Sequence, residues 1–158
     1  MLGWITKKLF ATKTPQAEVS EPPVPVQMTP QEGAAGVLIE MVHRDGAYTE
    51  VERDIVVQAM MRMFRCDRAE ADKLRQRAED KQRQEVTMMR FGVAARGLTA
   101  EEKEALVTYC WAILDSDGEA SVPETQLLHS VSDVIGLPLD RVAALRRGSD
   151  GLLSAKEG

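Results

Sequence analysis

The chain holds 158 residues, 44% of them apolar and only 4% aromatic, which is enough for one domain with a tail. Its 20 Lys and Arg against 25 Asp and Glu leave a net charge of -5, the wrong sign for a nucleic-acid binder, which needs clustered positive charge to replace counterions. No apolar run reaches the roughly 18 to 20 residues that span a bilayer, and no secretory leader with a small-residue cleavage site is expected. Two cysteines, Cys66 and Cys110, make neither a disulfide framework nor a four-ligand zinc site, so reduced thiols in a cytoplasmic protein are the expectation.

In chain order, residues 1–12 place Leu2, Ile5 and Leu9 on one helical face, flanked by Trp4 and Phe10 and opposed by Lys7 and Lys8. That pattern suits a short interfacial helix resting at the periphery of the inner membrane or in a partner's groove; the alternative is an ordinary tail with a few apolar residues. Residues 13–28 interleave Pro15, Pro22, Pro23 and Pro25 with Gln, Glu, Ser and Thr. Such a stretch cannot bury enough apolar surface to offset its ordering entropy, so it is read as an extended linker. The division is therefore a tail and linker over 1–28, a helical domain over 29–147 and a C-terminal tail over 148–158.

From residue 29 the apolar period is helical, with no convincing strand. Capping boxes, in which a Thr or Ser caps a free N–H and a Glu three positions on reciprocates, open at Thr29, Thr49, Thr99 and Ser121, paired with Glu32, Glu52, Glu102 and Glu124. Stops come at Gly46, Gly97, Gly118 and Gly136, with Pro138 after the last. Helices are predicted over 30–44, 49–65, 67–82, 84–96, 99–116, 121–136 and 139–147. The break near 83 is the weakest boundary, because only Gly92 punctuates residues 67–96.

Laid on itself with an offset of 72, the sequence repeats. Ala34, Ala35, Leu38, Met41 and Val42 fall on Leu106, Val107, Cys110, Ile113 and Leu114, and Ile55, Val56, Ala59 and Met63 fall on Leu127, Leu128, Val131 and Ile135. Between these stripes Asp45-Gly46 matches Asp117-Gly118, Thr49 matches Ser121 and Glu52 matches Glu124. Matching faces with matching turns exceed generic amphipathicity. The predicted class is all-α, about seven helices in a compact bundle built from two duplicated helix–turn–helix units.

Each unit thus carries Asp-Gly-x-x-[Thr/Ser]-x-x-Glu across its turn. Mechanically, the glycines end helices, Thr49 and Ser121 cap the next ones, and Glu52 and Glu124 close the boxes. The aspartates fit that account less well. An Asp in a last turn faces the negative end of the helix dipole, at a few tenths to about 1 kcal/mol unless compensated, and Asp115 adds a second carboxylate beside Asp117. A bound cation would resolve the conflict. Part of a calcium loop is echoed, with Asp115, Asp117, Ser121 and Glu124 at ligand positions, yet Ile113 stands where the first ligand belongs. The first unit offers His43, Asp45, Thr49 and Glu52 in the same register, behind Met41. Two readings stay open: a purely structural turn, and a site for a divalent cation, calcium first. The candidate ligands are Asp45, Glu52, Asp115, Asp117 and Glu124, with His43, Thr49 and Ser121 accessory.

The stretch Trp111-Ala112-Ile113-Leu114-Asp115-Ser116-Asp117-Gly118, continuing through Glu124 to Leu127-Leu128 and Val134-Ile135-Gly136, resembles the second unit of the tellurite-resistance protein B (TerB-like) family. Leu38 to Asp45-Gly46 and on to Glu52 is similar to its first. The resemblance covers about residues 30–147. It implies a seven-helix fold, with Asp45, Glu52, Asp117 and Glu124 as a metal-binding or partner-binding surface, and a link to tellurite resistance and envelope stress in bacteria.

Other chemistry is sparse. His129 lies between Leu128 and Val131 and reads as half-buried structure; Cys110 sits on the apolar stripe. No Ser/His/Asp or Cys/His set and no glycine-rich phosphate loop is suggested, so the expectation is a non-enzymatic module that binds a divalent cation and docks a protein partner. The rival from another class is an interaction scaffold whose Asp-Gly turns are only turns, tethered by its N-terminal segment. Removing residues 1–28 is expected to move the thermal midpoint by no more than roughly a degree or two. A fall of several degrees in a calorimetric melt would instead show that Leu2, Ile5 or Leu9 docks on the bundle.

Overall fold

The computed structural model describes residues 27–43 and 48–153. The segment carrying Leu2, Trp4, Ile5, Leu9 and Phe10, and the pair Asp45-Gly46, lie outside the described residues. Thr29 opens the first helix as its sequence dictates: its hydroxyl accepts the Glu32 N–H at 3.1 Å, and Glu32 Oε1 accepts the Thr29 N–H at 3.2 Å. Helix α1 then runs over Pro30–Val42. The same reciprocal box at Thr49 starts α2, Glu50–Phe64. Helix α3, Arg68–Arg83, is capped by Asp67, and α4, Met88–Ala95, by Thr87. Boxes at Thr99 and Ser121 start α5, Ala100–Leu114, and α6, Val122–Ile135. A short α7, Leu139–Leu145, leads into a 3-10 turn over Arg146–Ser149. The fold is all-α, and the described residues contain no strand.

The duplication is visible in the helices themselves. Val42 and Leu114, paired by the 72-residue offset, end α1 and α5; Glu50 and Val122, paired likewise, begin α2 and α6. The paired stripe positions are buried except for half-buried Ile55 and Met63 and exposed Leu127. Leu127 departs because the inward face of α6 is carried by Leu128, Val131 and Ile135.

Helix α1 is the axis of the bundle. Residues 32–39 are buried without interruption, and α1 packs against α2, α3, α4 and α5. A helix enclosed on all sides must let its neighbours come close. Gly33 does this against the α4 backbone: a Cβ there would stand 2.6 Å from the Phe91 carbonyl oxygen and 2.9 Å from the Ala95 nitrogen. At Gly36 a Cβ would overlap the Phe91 ring, which is fully buried.

Two helix ends differ from the glycine rule. Arg65 and Glu85 take left-handed φ values of 51° and 67°. Beyond them Cys66 N–H donates to Met61 O at 3.3 Å and Val86 N–H to Lys81 O at 3.1 Å, the six-to-one bond of a Schellman ending. Val86, buried, anchors the second of these, so the boundary near 83 is made by Glu85 and Val86 before Thr87 recaps the chain. Among the described residues after 147, Ser149 is buried, and Leu152 and Leu153 pack against the core.

Gly33→Ala adds about 1 kcal/mol of helix propensity but sets a methyl against backbone that moves only with the whole of α4. Net destabilisation of roughly 1–3 kcal/mol is expected, read as a lower urea midpoint. An unchanged midpoint would mean that the α1–α4 contact is looser than this geometry.

Candidate functional site

The second turn begins where α5 ends, at Asp115, the residue next to the negative pole of the helix. Its carboxylate is met by a cation from the same chain. Arg146 Nε donates to Asp115 Oδ2 at 2.9 Å and Nη2 to Oδ1 at 2.7 Å, a bidentate pairing that matches the guanidinium fork. Oδ1 also accepts the Ala120 N–H at 2.8 Å, which closes the turn on itself. The Arg146 guanidinium lies 4.4 Å from the centroid of the Trp111 ring, a cation–π stack, and Trp111 Nε1 donates to Val142 O at 2.8 Å. The Arg146 hydrogen bonds, helped by the Ala120 N–H, hold the Asp115 carboxyl below the usual carboxylate range against the opposing effect of its partial burial.

The start of α2 and the second turn meet at one cleft. Thr49 and Glu52 of the first unit face Ser116 and Asp117 of the second across a space of about 240 Å³, floored by Val42, Ile55 and Ile113 and walled by Leu153. Duplication explains the meeting: α1 and α5 pack together, as do α2 and α5, so their ends converge. Glu52 Oε1 accepts the Thr49 N–H at 3.0 Å, leaving Oε2 outside the capping box. Ser116 Oγ donates to Ile113 O at 2.8 Å. Of the predicted ligands the structure brings Thr49, Glu52 and Asp117 to this cleft. Glu124 does not line it; its Oε1 accepts the Ser121 N–H at 2.9 Å in the box of α6. Asp115 turns to Arg146, and His43 stacks on Tyr48 with centroids 5.5 Å apart. Among the described residues no three His, Cys, Asp or Glu side chains converge as a ready-made metal site.

Residues 31–147 match the family model for tellurite resistance protein TerB. The chain belongs to the TerB family. A crystal structure of a protein of unknown function from Porphyromonas gingivalis W83 is similar at 20% identity and a TM-score of 0.49, covering 79% of this chain and 96% of that one. No curated protein matches the chain.

The TerB domain has a second cleft lined by ion pairs. It is larger, about 520 Å³, and opens between α2 and α3; Arg68 binds Asp54 at 2.7 Å and Arg75 binds Asp72 at 2.8 Å within it. On the α2 side of the cleft, the Tyr48 hydroxyl is enclosed near the Glu79 carboxylate. Burial, then the neighbouring Glu79 carboxylate, pushes the phenol well above its ordinary range, so it stays protonated. Burial pushes the Cys110 thiol up to about 12, and burial with Glu70 and Asp67 raises Cys66. No helix of the described residues is long and apolar enough to cross a membrane.

Sequence reasoning placed Asp115 among the cation ligands and missed Arg146, 31 residues away, because nothing local marks that pairing. Asp115 has a folded pKa below its unfolded one, so its contribution is present above the unfolded value and is lost as pH falls through the folded value. Asp115→Asn is therefore expected to cost on the order of 1 kcal/mol at pH 7. The difference from wild type should shrink below about pH 4. Urea melts at pH 7 and pH 3.5 measure it, and a cost independent of pH would refute the charge-based account.

Proposed function

We propose that this TerB protein is a non-enzymatic module that holds a divalent cation, calcium first, between its repeated turns and docks a protein partner in a bacterial stress response. The observation that carries this is the convergence of Glu52 and Asp117, one from each unit, on a single cleft with Thr49 and Ser116. The donor set fits a hard cation: it is oxygen only, with carboxylates and hydroxyls and room for water. Soft or zinc-type ligation finds no thiol or imidazole at the cleft. Asp45 would join from the first turn, whereas Asp115 and Glu124 serve the turn and the cap. The family description supplies the link to tellurite resistance. The protein would act in the cytoplasm, with Leu2, Trp4, Ile5, Leu9 and Phe10 giving contact with the inner membrane or a partner.

A second reading is favoured by one specific observation. Arg146 already neutralises Asp115, and both Glu52 and Glu124 are used in capping boxes, which supports turns that are purely structural. The protein is then a scaffold whose acidic cleft docks a partner directly. Thermal melts with chelator and with millimolar calcium, magnesium or manganese separate the two. If the cleft holds a cation, metal stabilises by about 2.7 kcal/mol at 100 times Kd, and the double variant Asp45→Asn with Asp117→Asn loses that gain. Metal-independent melting of the wild type would sink the cation reading.

A further inference from the structure

The cleft between the start of α2 and the second turn is apolar at its base and acidic at its rim. Val42, Ile55, Ile113 and Leu153 line it, and Val51, 67% exposed, is part of its wall. Among the described residues its only charged members are Glu52 and Asp117. Its volume of about 240 Å³ is below that of an ordinary small-molecule pocket and suits a few side chains. Such a surface fits a segment that brings large apolar side chains and positive charge together.

The two ends of the chain lie outside the described residues and are unlike in composition. Residues 154–158 continue from the Leu153 wall but read Ser-Ala-Lys-Glu-Gly, with no large apolar side chain. Residues 1–17 hold Leu2, Trp4, Ile5, Leu9 and Phe10, with Lys7, Lys8 and Lys13 and not one acid. They complement the cleft in both shape of chemistry and sign of charge. Reach permits the contact as well. The N-terminal segment joins the bundle at the start of α1, and Val42, at the cleft, ends that helix, a separation of about 20 Å. Residues 13–26 cover it, since a chain of that length spans about 20 Å as a random coil and about 40 Å in polyproline form.

We propose that the cleft is an intramolecular seat for the N-terminal segment, with Leu2, Ile5 and Leu9 on its apolar base and the lysines near Glu52 and Asp117. The inference rests on the second reading above, in which the cleft docks a protein segment directly. A tether of this length gives an effective concentration in the millimolar range, so a short segment of millimolar affinity is docked in about half of the molecules. That balance changes the folding equilibrium only about twofold, in keeping with a midpoint shift of a degree or two when residues 1–28 are removed. Docking in the cleft and contact with a membrane or partner then exclude each other. Closing the seat to the segment would raise its apparent affinity for an outside surface about twofold.

The experiment is amide NMR on the full chain, wild type against the double variant Ile5→Asp with Leu9→Asp. Both are also measured with Val51→Asp added. Position 51 is the exposed second residue of α2, where an acid suits the helix dipole and the fold is kept; a cooperative melt checks this. The expected result is that the N-terminal substitutions shift amides within residues 49–55, 113–117 and 152–153. The shifts should not change on tenfold dilution, and they should vanish when Val51→Asp is already present. No shift at those residues, or shifts centred elsewhere, overturns the seat. Shifts that fade on dilution assign the cleft to a second copy of the chain and overturn it too. The reading beneath fails separately: calcium stabilisation that is lost with Asp45→Asn and Asp117→Asn would remove direct docking, and the seat with it.

Discussion

The approach of α1 to α4 through Gly33 and Gly36 governs the rest of this structure. With side chains at those positions, the Phe91 ring and the α4 backbone would have to retreat, and the shell around α1 would open. Because they do not, α1 is enclosed by four helices and its C-terminal end is fixed relative to α5. Val42 and Ile113 then floor a common cleft. The functional geometry is a consequence of helix packing distance before it is a matter of acidic residues. Its rigidity comes from the same source, since a close-packed axis transmits displacement and does not absorb it.

The electrostatics of the second turn follow a simple rule with an unexpected agent. A carboxylate at a helix C-terminus needs a positive neighbour, and the chain supplies one as Arg146, oriented by the Trp111 face. Guanidinium suits the task because its fork satisfies both carboxylate oxygens and its charge does not titrate. The carboxylate that the sequence leaves facing the helix dipole at Asp115 is met by a cation of the same chain, and Asp117 is the carboxylate of that turn that lines the cleft.

What was legible in the sequence was whatever is local or repeated. The capping boxes at Thr29, Thr49, Thr99 and Ser121, the offset repeat and the Gly136 stop are all encoded within a few residues or in a fixed period, and the structure contains each of them. The endings at Arg65 and Glu85 were not legible. A left-handed residue that is not glycine is disfavoured locally and is stabilised by tertiary anchors such as buried Val86. The Arg146–Asp115 pair and the seat of Leu153 depend on how α5 and the C-terminal turn fold together, which no spacing rule describes. The Gly33 and Gly36 approach did have a signal, two glycines in a helix that is otherwise small and apolar. It was outweighed by reading glycine only as a helix stop.

The two turns share one motif but have unlike supports, and this asymmetry has a physical consequence. Beside the first, Tyr48 stacks on His43 and lies under the Arg53 guanidinium, 5.0 Å from its ring centroid. That support is aromatic and keeps its phenol protonated at neutral pH. The second turn is braced by the Arg146–Asp115 ion pair, which weakens when the carboxylate gains a proton. Protonation of Asp115 therefore loosens the hold on the C-terminal segment that starts from Arg146. A duplicated motif is thus flanked by an aromatic support on one side of the cleft and by an ion pair on the other.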